Sequence, residues 1–211
     1  MNQNTIQNLV DKLMQETAGS LNNSLKYYWP SKTNKNTGNA LHEGNILMHL
    51  GRACLNNEWV VYQQAARHSE ADQQPPQHGA SGWLDMLAYN PQNRIQLRVE
   101  AKRFIKSDSF SKISDDIQKI NNFRLNRVDN AESEILNPKF TVGLIAVVTH
   151  DQRKKDWWDQ QHANSEEDAI NTLLSRHLRN TAPAEKDSTR SLSLINSYSN
   201  GWLLYAWHFV P

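Results

Sequence analysis

Two runs of strand-forming residues, WLDMLAY at 83–89 and RIQLRVEAKRF at 94–104, flank the turn formers Asn90-Pro91-Gln92-Asn93, the pattern of a β-hairpin. Strand side chains point to opposite faces in turn, so Ile95, Leu97, Val99 and Ala101 share one face while Gln96, Arg98, Glu100 and Lys102 share the other. Upstream, Ile6, Leu9, Val10, Leu13 and Met14 recur at helical spacing over residues 5–18, with Gly19 as the stop. A second stripe, Ala40, Glu43, Leu47, Leu50 and Cys54 flanked by Ile46 and Ala53, predicts a helix over 40–55, and residues 59–66 read as a strand. Beyond the hairpin, Phe110, Ile113, Ile117, Ile120 and Phe123 predict another helix, and the branched apolar run FTVGLIAVV at 140–148 predicts a central strand covered on both faces. Ser165 and Asp168 have capping-box spacing ahead of a helix carrying Ile170, Leu173, Leu174, His177 and Leu178. Two strands, 191–198 and 202–210, then follow, joined at Asn200-Gly201. This order describes an α/β fold with a mixed central β-sheet flanked by helices.

Composition narrows the class. A chain of 211 residues favours one domain, and seven Trp, six Tyr and five Phe argue for a packed core although hydrophobic residues make up only 38%. Lys and Arg total 23 against 22 acids, net +1, so any nucleic-acid surface has to be local. The single cysteine, Cys54, excludes an internal disulfide framework and a cysteine-rich zinc site, and fits a cytoplasmic setting. The opening residues MNQNTIQNLV lack a basic stretch followed by an apolar one, and no run approaches membrane-spanning length. The expectation is a soluble, unexported protein without a membrane partner.

Two acids stand where their surroundings are apolar, and a third stands beside a lysine on the neighbouring strand. Asp85 lies between Leu84 and Met86 in a strand, Glu100 and Lys102 point the same way on the next strand, and Glu43 lies on the apolar stripe of the second helix. A carboxylate deprived of water must protonate or find a cation, and a shared divalent ion beside a lysine would answer all three. For Glu43 the structural alternative is an interaction with the free N–H groups at the helix start. Two rival motifs fail: His42-Glu43 lacks the second His of a zincin helix, and no Gly-rich phosphate loop is present. Asp116 and Lys119 read as solvated helix charges, His49, His150 and His177 as surface or packing residues, and Trp157-Trp158 as core.

An acid on one strand followed by Glu100-Ala101-Lys102 on its neighbour resembles the PD-(D/E)XK nuclease superfamily, although Leu84 stands where the name-giving Pro would. The resemblance implies a restriction-endonuclease-like αβββαβ core over about 41–148 in a single domain spanning 1–211. An N-terminal helical extension (1–39) and a C-terminal helix and hairpin (151–211) would be additions. It further implies a Mg²⁺-dependent endonuclease, with Mn²⁺ able to substitute, hydrolysing phosphodiester bonds in DNA, RNA being left open. Asp85, Glu100, Glu43 and the Ala101 carbonyl would hold the metal, and Lys102 would position or activate water. Lys32, Lys35, Lys106 and Lys112 are the candidates for phosphate contact. Gln118 is followed four residues later by Asn122, not Tyr, which argues against the RecB-like branch. A homodimer or protein partner is left open, and the alternative function is an inactive nuclease-like scaffold serving as a nucleic-acid or protein binding module in immunity or regulation.

Overall fold

The alternating residues 94–104 become a strand in the computed structural model of the chain, which describes residues 3–28, 42–66, 83–103, 109–123, 137–160, 189–195 and 200–210. The elements are α1 (Gln3–Tyr28), α2 (Glu43–Asn56), β1 (Val60–Ala66), β2 (Trp83–Asn90), β3 (Ile95–Arg103), α3 (Ser109–Asn122), β4 (Phe140–Thr149), α4 (Gln152–Gln160), β5 (Thr189–Ile195) and β6 (Asn200–Phe209). The strands form a six-stranded mixed sheet in the order β1-β2-β3-β4-β6-β5, in which only β3 and β4 run parallel. A parallel pair needs a crossover, and α3 supplies it. This is the α/β class that the residue pattern predicts.

Alternation along the strands divides the core into two layers. Ile95, Leu97, Val99 and Ala101 of β3, with Val142, Leu144, Ala146 and Val148 of β4, pack against Ile6, Val10, Leu13 and Met14 of α1 and Ile46, Leu50 and Cys54 of α2. The opposite layer joins Ile145 and Val147 of β4 and Leu204 of β6 to Ile113, Ile117 and Ile120 of α3, Phe123 just after it, and Trp158 of α4. The expectation that 140–148 is a central strand covered on both faces is met.

Two boundaries differ from the sequence reading, each for a physical reason, and one further helix has no counterpart in it. The first helix does not stop at Gly19 but runs on to Tyr28, because Leu21 and Leu25 continue its buried stripe. Burying two leucines stabilises by roughly 3–6 kcal/mol, more than the ~1 kcal/mol that a mid-helix Gly costs. Asn200-Gly201 is not the hairpin turn: both residues pair with β5, Asn200 with Ile195 and Gly201 with Leu194. The stretch KKDWWDQQ, which carries no helical stripe of its own, lies largely within α4, whose start is capped by Asp151. Asp151 Oδ1 accepts from the Arg153 N–H at 3.0 Å, and its carbonyl accepts from Lys154 N–H. The helix expected after Ser165 lies outside the described residues.

Two local devices hold the strand that carries the acids. At the hairpin, Asn90 Oδ1 accepts from the Asn93 N–H at 2.8 Å, and Arg94 turns the chain with φ 52°. The Arg94 carbonyl then accepts from Lys139 N–H at 2.7 Å, aligning the starts of β3 and β4. On the α3 side, His208 of β6 lies across Gly143 of β4 and its Nε2 hydrogen bonds Asn121 Oδ1 at 2.8 Å. A Cβ on Gly143 would stand 2.5 Å from His208 Cε1 and 2.7 Å from Ile120 Cγ2, so only glycine lets α3 dock this closely.

Gly143→Ala should therefore lower stability by about 1–3 kcal/mol in chemical denaturation, as overpacked core sites do. Adding His208→Ala should recover part of that loss, since the two residues share one space. Strictly additive effects would show that the close approach is not what the glycine serves.

Candidate active site

The β2–β3 ladder pairs Asn90 with Ile95 at the turn and continues to Met86 with Val99, where it ends. Beyond that point the strands fork, and two carboxylates take over the main-chain hydrogen bonding. Ala101 N–H donates to Asp85 Oδ2 at 2.8 Å, and Asp85 N–H donates to Glu100 Oε1 at 3.3 Å. Asp in a strand is explained by this: an aliphatic side chain would leave the Ala101 donor without that acceptor. Each carboxylate uses one oxygen at the fork, so the second oxygens remain for another partner.

The polar face of β3 lies beneath α3, and α3 answers it residue by residue. Arg98, 7% exposed, donates from Nε to Gln96 Oε1 at 2.8 Å and from Nη1 to the Ile120 carbonyl at 2.9 Å, with its guanidinium 5.5 Å from the Phe123 ring centre. Glu100, 1% exposed, meets Lys119 Nζ at 2.7 Å through Oε1. Lys102 Nζ meets Asp116 Oδ2 at 3.1 Å. Asp116 is buried and Lys119 half-buried, which corrects the expectation that both are solvated helix charges. The sequence carries the signal: at 3.6 residues per turn Asp116 falls between Ile120 and Phe123 on the helical wheel, inside the apolar stripe.

Burial sets the charge states. Desolvation, then the nearby Asp85, pushes the Glu100 carboxyl up to about 8, with Lys119 pulling only part of the way back. Asp116 is pushed up to about 6 by burial against the pull of Lys102 and Lys119. For Lys102 burial acts downward, but Asp116, Glu43 and Asp85 outweigh it and the net direction is up, so Lys102 is an ammonium at neutral pH.

Glu43 comes from the other side of the sheet. His42 caps α2, its Nδ1 accepting from Gly44 N–H at 3.1 Å, and Glu43 is the first helical residue. Its Oε1 accepts from the Arg103 N–H at 3.0 Å, one residue beyond Lys102. The structure thus brings Asp85, Glu100, Lys102, Asp116 and Lys119 together at the fork and places Glu43 at the end of the same strand. Among the described residues, no three His, Cys, Asp or Glu side chains converge as a metal-holding group. Asp85 and Glu100 each offer carboxylate oxygen at the fork, the donor type that a hard divalent ion takes.

Of the phosphate-contact candidates, Lys32, Lys35 and Lys106 lie outside the described residues, and for Lys112 on α3 only the backbone is described. Trp158 is core, as expected, and His49 is buried against Ser20, its Nδ1 2.8 Å from Ser20 Oγ. No helix among the described residues is long and apolar enough to cross a membrane. Comparison with protein-family models, curated proteins and solved structures returns no match.

Glu100 and Asp116 bind protons more tightly folded than unfolded, so the stability they contribute is fully present at low pH and is lost as pH rises through about 6 and then about 8. The melting temperature of the metal-free protein should therefore fall between about pH 5 and pH 8. Glu100→Gln should flatten the upper part of that fall. A melting temperature that rises across this range, or an unchanged slope in Glu100→Gln, would contradict the burial of these acids in the protonated form.

Proposed function

We propose that the chain is a Mg²⁺-dependent nuclease that hydrolyses phosphodiester bonds in DNA on a restriction-endonuclease-like core. The observation that carries this reading is the meeting of Asp85 and Glu100 at the strand fork, with Lys102 two residues along the same face. The order α2-β1-β2-β3-α3-β4, with β3 and β4 parallel, supports the core assignment.

In this reading Asp85, Glu100 and the Ala101 carbonyl hold the ion, and Glu43 assists from the end of β3. When bound, the ion neutralises phosphate oxygens and lowers the pKa of water. The chain's own residues do the positioning. Lys102, kept protonated by its acidic neighbours, cannot serve as the base; it donates hydrogen bonds to the attacking water and offsets charge that builds on the phosphate. Asp116 holds that ammonium in place from α3, and Arg98 holds α3 over the strand. Arg103 carries a buried Nε with no hydrogen bond, a donor at the site end of β3 suited to a phosphate oxygen.

A second reading is an inactive nuclease-like scaffold that binds nucleic acid or protein. It is favoured by the use of both fork carboxylates in main-chain hydrogen bonds, which gives each acid a structural task without a metal.

Plasmid DNA with Mg²⁺ or Mn²⁺ separates the two. Cleavage by the wild-type chain, reduced about 100-fold or more in Asp85→Asn and Lys102→Ala, is expected of the nuclease, since each change removes transition-state stabilisation. No cleavage, or equal cleavage by wild type and Lys102→Ala, would favour the scaffold and overturn the catalytic assignment.

A further inference from the structure

The cation beside Glu100 is Lys119, not Lys102. Lys119 Nζ lies 2.7 Å from Glu100 Oε1, while Lys102 is engaged by Asp116 at 3.1 Å. The two partners are unequal in freedom: the Glu100 side chain is 1% exposed, whereas that of Lys119 is 23% exposed. Glu100 is fixed on a central strand and also accepts the Asp85 N–H. Lys119 sits on a helix flank and is partly exposed. An ammonium and a divalent ion on one buried carboxylate would repel strongly, because little water screens them.

We propose that Lys119 occupies, in the metal-free chain, the position beside Glu100 that a divalent cation takes, and that it swings to solvent when the cation binds. This rests on the metal-site reading above and deepens it. The ammonium holds that position in the metal-free chain, at the expense of metal affinity. Lys102 has its own acid in Asp116 and need not move, so the water-positioning lysine is preserved while the place-holding lysine leaves. The two lysines thus have separate roles although both face the same cluster. Asp116 and Lys119, three residues apart, share one face of α3, so a single turn of helix supplies the partner that stays and the partner that leaves.

Calorimetric titration of Mn²⁺ into the metal-free protein tests this without reference to activity. Lys119→Met should bind Mn²⁺ about tenfold tighter or more than wild type, as expected for removing a like charge from a buried site. Lys119→Arg, which keeps the charge, should stay near wild type. If Lys119→Met does not fold, Lys119→Gln makes the same comparison. Tighter binding in the neutral variants alone supports the place-holder. Wild-type binding that Lys119→Met leaves unchanged or weakens, or that Lys119→Arg tightens equally, overturns the role of Lys119 and leaves the metal site standing. Absence of Mn²⁺ binding by wild type and every variant at millimolar metal overturns both.

Discussion

The fork between β2 and β3 is held by an exchange between carboxylates and backbone. Asp85 accepts the Ala101 N–H, and Glu100 accepts the Asp85 N–H, at the point where strand pairing ends. Such an exchange puts two acids close together in a place poor in water, and that is unfavourable unless positive charge is supplied. Much of the α3 side of the molecule follows from that need. Lys119 and Lys102 bring the charge, Asp116 steadies Lys102, and Arg98 ties the polar face of β3 to the Ile120 carbonyl at the end of α3. Gly143 permits the close docking of α3 because nothing larger would leave room for His208 and Ile120.

The charge balance at the fork also explains why two lysines are present rather than one. Asp85 and Asp116 both act electrostatically on Glu100, Lys119 pairs with Glu100 and Lys102 with Asp116, and Glu43 acts on Lys102 from the end of β3. Burial first, then Asp85, holds Glu100 well above its ordinary value even with Lys119 beside it, which leaves its charge only partly offset. In the proposed nuclease this deficit is what the metal satisfies; in a scaffold it would be met by a proton on Glu100.

The hairpin, the two faces of β3 and the central position of β4 are legible in the sequence because period-two alternation and a continuous branched run suit a strand and little else. Asp85 is legible as an anomaly, an acid in an apolar strand, although its hydrogen bond to Ala101 is not. What stays hidden depends on partners distant in sequence. Asp116 and Lys119 look like surface charges on their own helix because their meaning lies in Glu100 and Lys102 across the α3–β3 interface. Gly19 looks like a helix stop by local propensity, and only the burial of Leu21 and Leu25 against the sheet carries α1 past it. Asn200-Gly201 favours a turn as a dipeptide, yet its pairing with Leu194 and Ile195 makes it part of β6. The apolar stripe of α2 points Glu43 toward the site; the structure sends its carboxylate to the Arg103 N–H at the end of the strand that bears Glu100.

Whether the fork is a cation site decides between the metal-dependent enzyme and the scaffold, and anomalous scattering from crystals grown with Mn²⁺ addresses it directly. The expected result is an anomalous peak within coordination distance of the Asp85 and Glu100 carboxylates and the Ala101 carbonyl, roughly 2.1–2.3 Å from their oxygens. A well-ordered fork with no peak there, or Mn²⁺ bound only at surface acids elsewhere, would contradict it.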